Sequence, residues 1–483
     1  MKMTRPVSEN SAWLGISVAH GASQSLQMQL YELVKRKIED GTVGAGSRLP
    51  SSRGLAAELG IARATVTAAY EQLIAEGYVT SRRGARLEVT EPHTAAPIPT
   101  ADPKPPTGPS KTRPPMLLKP GVPDLRLFPD RQWIKAATRS WRAGAQNVLG
   151  DWDPAGALQL RRAIAAHLWE WRGIKADPDQ VLVTAGSAGA LQLILDTLTS
   201  KGDPIAAEEP GYPAFHRLAT RRGLEIIPVP VDGEGMDVEA LRRCPAQPRL
   251  CVVTPSHQYP SGGAMSIGRR RQLLEWAASV DGLIVEDDYD SEFRYEGRPV
   301  PALLSISPEA RIIYVGTTSK VLSPAIRIGY IVGPLDIVER LRRTADNLEQ
   351  RASIIPQYPL AEIIESGDYA RHVRRMRRTY RERKRFLVNC LGGMVPKSHL
   401  KVSPQAAGLH LLAHFGPALD KGQDDMVLQE KCREIGLGVK GLSFFYRGAE
   451  RRSGFLIGFA AFEEEEIARG VKLLAGVLMD AAG

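Results

Sequence analysis

The stretch RIIYVGTTSKVLSPAIRIGY, residues 311–330, decides how the larger part of the chain is read. Arg311 to Val315 alternates and is rich in β-branched residues, which predicts a strand. Gly316, Thr317, Thr318 and Ser319 follow, small and mostly hydroxylated, and then comes Lys320. A turn through Pro324 leads to Arg327, at the entry to a second apolar strand, IGYIV. A lysine delivered by a strand end among small hydroxyls can lose its proton, attack an aldehyde and hold it as a Schiff base. Guanidinium and hydroxyl groups beside it suit a phosphate, because the arginine fork matches phosphate geometry. Pyridoxal phosphate has both an aldehyde and a phosphate. On its own, the stretch is equally consistent with a solvated loop lysine and a surface arginine.

Working outward, strands alternate with helices from residue 116 to residue 483, the pattern of a mostly parallel sheet with helices on both faces. VLVTAGSAGALQLILDTL reads as a strand, a small-residue turn and an apolar helix. The amides of Ser187 and Ala188 at the helix start form a candidate anion site, although such turns often serve packing alone. EEPGYPAF places Tyr212 after a Pro-Gly turn, where it can stack on a flat ring or fill a core. LCVVTPSHQYPSGGAMS brings His257, Gln258 and Tyr259 to a strand end. GLIVEDDYDSEFRY reads as a buried strand ending in Glu286, Asp287, Asp288, Tyr289 and Asp290. Acidic residues at the carboxyl end of a strand lie where α/β sheets bind ligands. An aspartate there can pair with a pyridine nitrogen; a solvated acidic turn or a metal site is the alternative.

The N-terminal part has a different pattern. Leu26, Leu30, Leu33, Val34 and Ile38 recur at helical spacing, and Gly41 and Gly44 end that helix. Ser51 is placed to cap a short second helix. Gly60 makes a tight turn, and Val66, Ala69, Tyr70, Leu73 and Ile74 mark one face of a third helix. Tyr78 and Val79, the basic turn SRRGAR and Leu87 and Val89 read as a two-stranded wing with Gly84 at its tip. The arrangement predicts a winged helix-turn-helix. Arg48, Arg53, Arg63, Arg82, Arg83 and Arg86 are candidates for phosphate contacts, Arg63 and Thr65 for base readout, and Ser52 for a further DNA contact.

Between the two parts, EPHTAAPIPTADPKPPTGPSKTRPP, residues 91–115, is rich in proline and lacks apolar periodicity, which predicts an extended spacer. The expected domains are therefore residues 1–90 with a core at 24–90, the linker 91–115, and 116–483. The 43% hydrophobic content of the 483 residues allows large cores, and a formal charge of +9 permits an acidic partner without requiring one. Cys244, Cys251, Cys390 and Cys432 have no paired or metal-type spacing, which fits a reducing compartment and argues against a metal site. AWLGISVA, residues 12–19, is short for a signal peptide, and no apolar run is long enough to span a bilayer. A soluble cytoplasmic protein is expected.

RLPSSRGLAAELGIARATVTAAYEQLIAEGYVTSRRG resembles the winged-helix domain of the GntR family. It departs in having Ala62 where a capping serine is usual, and in lacking the glycine-serine-glycine wing tip. DWDPAGALQLRRAIAAHL, EPGYP, TPSHQYPSG, VEDDYDSEFRY, TTSKVLSPAIRIGY and AGLHLL resemble fold-type I pyridoxal-phosphate enzymes of the aminotransferase kind. Together the two parts look like the MocR subfamily of GntR regulators. This resemblance implies that Lys320 carries the cofactor as a Schiff base and that Asp287 pairs with the ring nitrogen. It further implies that Tyr289 contacts the ring oxygen and Tyr212 stacks on the ring. Thr317, Ser319, Arg327 and the amides of Ser187 and Ala188 would hold the phosphate. Tyr259 stands where aminotransferases carry an asparagine, and Leu456 where they carry the arginine that clamps the substrate carboxylate, with Arg451 or Arg452 as possible substitutes.

The expectation is a homodimeric transcription regulator that binds operator DNA and senses pyridoxal phosphate or an amino compound. An active aminotransferase with a fused DNA-binding domain is the alternative, and a regulator that has lost the cofactor a third. The run YARHVRRMRRTYRERKR, residues 369–385, is expected to be a helix with a solvated basic face, or one that braces DNA through phosphates.

Overall fold

The computed structural model describes residues 13, 16–19, 24–82, 86–90, 116–150, 153–297, 300–419, 422–448 and 451–482. The chain divides into two compact units, Met1–Thr112 and Arg113–Gly483. The proline-rich stretch expected as a linker lies outside the described residues. Among the described residues no helix is long and apolar enough to cross a membrane, and all four cysteines are free.

The first unit holds three helices, α1 (Leu26–Glu39), α2 (Ser52–Leu59) and α3 (Arg63–Ala75), and a hairpin of β1 (Val79–Arg82) and β2 (Arg86–Val89). Ser51 accepts from the Gly54 amide and so starts α2, and Gly60 ends it in the left-handed conformation. Ala62 gives α3 no side-chain cap, which costs about 1 kcal/mol relative to serine. Leu30, Val34, Val66 and Leu73 are fully buried, each burial being worth about 1.5–3 kcal/mol. Ile74, expected on the same face, is 38% exposed; it lies at the edge of the apolar stripe, where the helix turns toward solvent. Trp13 and Ile16 join this core, and the Trp13 indole donates to the Arg48 carbonyl. Trp13 and Ile16 therefore supply packing for the first unit.

The second unit is built on an eight-stranded sheet, with β3 (Val181–Thr184), β4 (Pro204–Glu209), β5 (Glu225–Asp232), β6 (Gly235–Met236), β7 (Leu250–Val253), β8 (Leu283–Asp288), β9 (Ile312–Thr317) and β10 (Gly329–Val332). The spatial order is β3-β10-β9-β8-β7-β4-β5-β6. The run from β9 through β8, β7 and β4 to β5 is parallel, whereas β10 is antiparallel to both its neighbours. Side chains alternate between two cores, as the period of a strand requires. Leu182, Ile205, Val252, Val285, Ile313 and Ile331 enter one core with helices Gly186–Leu198 and Leu335–Asn347. Val183, Ala206, Cys251, Ile284, Ile312 and Tyr330 enter the other with helices Leu158–Arg172, Ile267–Ser279 and Asp368–Met394. A second, antiparallel sheet, β11 (Leu400–Val402), β12 (His410–Phe415), β13 (Lys440–Gly441) and β14 (Gly454–Gly458), has the order β11-β12-β14-β13.

The basic run forms part of the helix Asp368–Met394, and Arg371, Arg375 and Arg381 are among the exposed arginines of a solvated face, while two others turn inward. Arg383 is buried and bonds Asp124 and the Ala460 carbonyl, and Arg377 donates to the Glu292 carbonyl. Arg374, Arg378 and Arg385 remain exposed.

Candidate functional site

The carboxyl ends of β4, β7, β8 and β9 border a cavity of about 240 Å³. Lys320, Asp287, Tyr289, Tyr212, Thr317, Ser319 and Arg327 all line it, as do Ser187 and Ala188. The structure thus gathers every residue singled out around the quoted stretch, drawn from segments more than a hundred positions apart.

At one end the cavity is rich in hydrogen-bond donors. The helix Gly186–Leu198 begins there, so the amides of its first turn have no intrahelical acceptors. The Arg327 guanidinium lies against that start: a Cβ built on Gly186 would fall 3.8 Å from its terminal nitrogen. Arg327 itself adopts the left-handed conformation, φ 56°, after the short turn Pro324–Ile326. Thr317 and Ser319 share a hydroxyl bond of 3.1 Å, while Thr318 turns away and donates to the Ile328 carbonyl at 3.0 Å. Amides at a helix start, a guanidinium and two hydroxyls fit a dianion.

Lys320 follows the end of β9, and its Nζ donates to the Gly121 carbonyl at 2.7 Å. Burial lowers its pKa, opposed by the charges of Asp290 and Asp287, so the amine is easier to deprotonate than a surface lysine. Asp287, near the end of β8, is 5% exposed, and its Oδ1 has no hydrogen-bond partner among the described residues. Burial raises its pKa to about 7, with Asp288 and Glu208 adding to the effect and Lys320 opposing it. Asp288 points to the other face of the sheet, where it accepts from Tyr314 at 2.6 Å and pairs with Arg172 at 2.9 Å. The acidic run was expected at the end of the strand; its first three members lie within β8, and the pleat sends them to alternate faces.

Some site residues had no role assigned from sequence. Glu208, fully buried, accepts from the Thr254 amide and hydroxyl and from Gln258. His257 Nδ1 lies 3.0 Å from both Asp290 oxygens and 2.9 Å from the Tyr289 hydroxyl. Burial pushes His410 down to about 3, so it is neutral. Tyr259 is the hub of ring contacts with Tyr212, Tyr289, His410 and Phe445 at 5.4–5.8 Å. TPSHQYPSG and VEDDYD carried the signal for His257 and Asp290, but their pairing depends on the order of β7 and β8 in the sheet.

Leu456 is fully buried and packs with Leu412, Leu442 and Phe445 beside Tyr259. Arg451 and Arg452 line a different cavity, with Glu209, Pro230 and Tyr446. Among the described residues, the only cations on the lysine cavity are Lys320 and Arg327.

In the first unit, Arg63 stands at the start of α3 and its Nε donates to the Ser52 hydroxyl at 3.4 Å. The Thr65 amide donates to the Ala62 carbonyl, and Thr65 is half-buried in the first turn of α3. Arg53 is exposed, and Arg48 forms a 3.5 Å ion pair with Glu88. Arg83 and the side chains of Arg82 and Arg86 lie outside the described residues.

A lysine at the carboxyl end of this sheet, with an unpartnered carboxylate and an anion cradle, defines the second unit as an aminotransferase-type domain. Residues 115–474 match the model of aminotransferase class I and II, and residues 26–89 match that of the bacterial regulatory proteins of the gntR family. The fold superposes on Pyrococcus horikoshii kynurenine aminotransferase with a TM-score of 0.70 and 26% identity, covering 76% of this chain and 92% of that one. The HTH-type pyridoxine biosynthesis transcriptional regulator PdxR of Corynebacterium glutamicum is 36% identical over 92% of this chain and 94% of its own length. The probable rhizopine catabolism regulatory protein MocR of Rhizobium meliloti is 34% identical over 95% and 94%. The chain belongs to the MocR-type GntR regulators, DNA-binding transcription regulators that carry an aminotransferase-like domain of the fold-type I, pyridoxal-phosphate-using class.

Proposed function

We propose that this regulator binds pyridoxal phosphate in the Lys320 cavity and reports its presence, or that of an amino compound reacting with it, to the DNA-binding unit. The observation that carries this is the convergence on one cavity of a buried amine, an unpartnered buried carboxylate and a donor-rich end. The residues fit the cofactor. The amides of Ser187 and Ala188, with Thr317, Ser319 and Arg327, would hold the phosphate. Asp287 would pair with the ring nitrogen, Tyr212 would stack on the ring, Tyr289 would contact the ring oxygen, and Lys320 would supply the amine. When bound, the cofactor supplies an aldehyde that takes amines and a ring that withdraws electrons. Asp287, which burial raises to about 7 against the opposing charge of Lys320, can hold a proton up to near neutrality where a pyridine nitrogen would share it.

The name of the pyridoxine biosynthesis relative supports a vitamin-derived effector. Leu456, buried where a clamp for the substrate carboxylate is expected, supports a sensor that does not grip ordinary amino-acid substrates. The protein works in the cytoplasm as a homodimer reading two half-sites through Arg63 and Thr65, with Arg48, Ser52, Arg53, Arg82 and Arg83 on phosphates. Titrating pyridoxal phosphate into wild type and Lys320→Ala, followed by absorbance and reductive trapping, tests the cofactor assignment. Wild type is expected to take up one equivalent per chain, and the variant is expected to trap none. Equal trapping by the two proteins overturns the assignment.

A further inference from the structure

The buried group of His257, Asp290 and Tyr289 goes beyond that assignment. His257 is 2% and Asp290 1% exposed. Nδ1 of His257 has two kinds of neighbour, the Asp290 carboxylate at 3.0 Å and the Tyr289 hydroxyl at 2.9 Å. A carboxylate can only accept, so its presence selects the tautomer with hydrogen on Nδ1. Nothing draws that hydrogen to the other nitrogen, because Nε2 is buried and has no partner among the described residues. A flipped ring would set a C–H against the Asp290 carboxylate, so that bond holds the orientation, and the ring packs closely on Gly408. A Cβ on Gly408 would fall 2.1 Å from its Cε1, and the Gly408 backbone is pinned by the Tyr295 hydroxyl at 2.7 Å.

A nitrogen that already carries hydrogen cannot accept the Tyr289 hydrogen. The tyrosine oxygen instead meets the Nδ1 hydrogen, and its own O–H must find an acceptor elsewhere. Tyr289 lines the lysine cavity, so the cavity is where that acceptor lies. We infer that Asp290, acting through His257, fixes the Tyr289 hydroxyl as a hydrogen-bond donor into the cavity, toward the ring oxygen of the cofactor. This rests on the cofactor assignment above and makes Asp290 and His257 positioning residues. They set how strongly the site favours a negative ring oxygen, and thereby the pH at which bound cofactor is poised to meet an amine. Other ionisable groups facing this cluster are Asp287, Glu208, Tyr259, His410, Lys320, Glu292 and Tyr295.

The test is a pH titration of the visible absorbance of protein-bound pyridoxal phosphate in the full chain, for wild type, Tyr289→Phe, Asp290→Asn, His257→Gln and the Tyr289→Phe/Asp290→Asn pair. In Asp290→Asn no carboxylate holds hydrogen on Nδ1, so the histidine hydrogen can sit on Nε2 and the Nδ1 lone pair becomes available to accept from the Tyr289 hydroxyl instead. Without that donor, the proton held between Lys320 Nζ and the ring oxygen is released at higher pH. The expected result is an upward shift on the order of one pH unit in each single variant, with none added in the pair.

Loss of the Asp290 charge alone acts in the opposite sense, because that charge raises the pKa of Lys320. A downward or absent shift in Asp290→Asn, with Tyr289→Phe still shifting upward, overturns the positioning role and leaves the cofactor assignment standing. No shift in Tyr289→Phe removes the Tyr289 contact, and the inference with it. No visible band in wild type removes both. Should Asp290→Asn fail to melt cooperatively, His257→Gln reads the same shift.

Discussion

At the scale of single residues, Asp287 joins burial to chemistry. Its folded pKa of about 7 lies above the ordinary 3.8 because burial disfavours the charge. Between those values the cofactor-free folded chain keeps a proton that the unfolded chain releases. This residue therefore costs stability increasingly as pH rises from about 4 through 7. Asp287→Asn removes that dependence. In thermal melts of cofactor-free protein, the variant should gain on wild type as pH goes from 5 to 8, by up to a few kcal/mol. A stability difference independent of pH contradicts the raised pKa. The same substitution should weaken cofactor retention at pH 8, since an amide cannot charge-pair with a ring nitrogen. Most of these residues were legible from type and position: a lysine after a strand, an aspartate in a strand's last turn, an arginine before the next strand. Glu208 and the His257–Asp290 pair were less so, since His257 and Asp290 are 33 positions apart and meet only because β7 lies beside β8.

At the scale of elements, the cradle depends on how closely β10 approaches the start of the helix Gly186–Leu198. A Cβ on Gly329 would lie 2.6 Å from the Gly186 carbonyl carbon and 2.9 Å from the Ser187 amide. Gly329→Ala must push the helix start away. It should lower stability by about 1–3 kcal/mol and weaken pyridoxal phosphate binding at least tenfold, measured by denaturant unfolding and equilibrium titration. Unchanged affinity would show that this end of the cavity does not hold the phosphate. The strands and helices here were predictable because alternation and helical spacing are local. The antiparallel insertion of β10 between β3 and β9 was not, since pairing partners leave no mark on a single strand. Ile74 was misplaced, and the two inward-turned arginines of Asp368–Met394 went unforeseen, for a related reason. Helical spacing gives a face but not its edges, and a basic run does not reveal that Arg377 and Arg383 spend their charge on carbonyls and Asp124.

At the scale of the whole molecule, two units of different chemistry share one chain, and they should be separable by mutation. Arg63→Ala should weaken operator binding by about 1–3 kcal/mol in a gel-shift titration at fixed salt, with pyridoxal phosphate uptake unchanged; wild-type affinity would remove Arg63 from the DNA interface. The central claim is that one amine, on the second unit, joins the cofactor. Reducing the wild-type complex with borohydride, digesting it and sequencing the modified peptide by mass spectrometry tests this directly. A single phosphopyridoxyl group on Lys320 is the expected product. Modification at another lysine, or none under saturating pyridoxal phosphate, contradicts it.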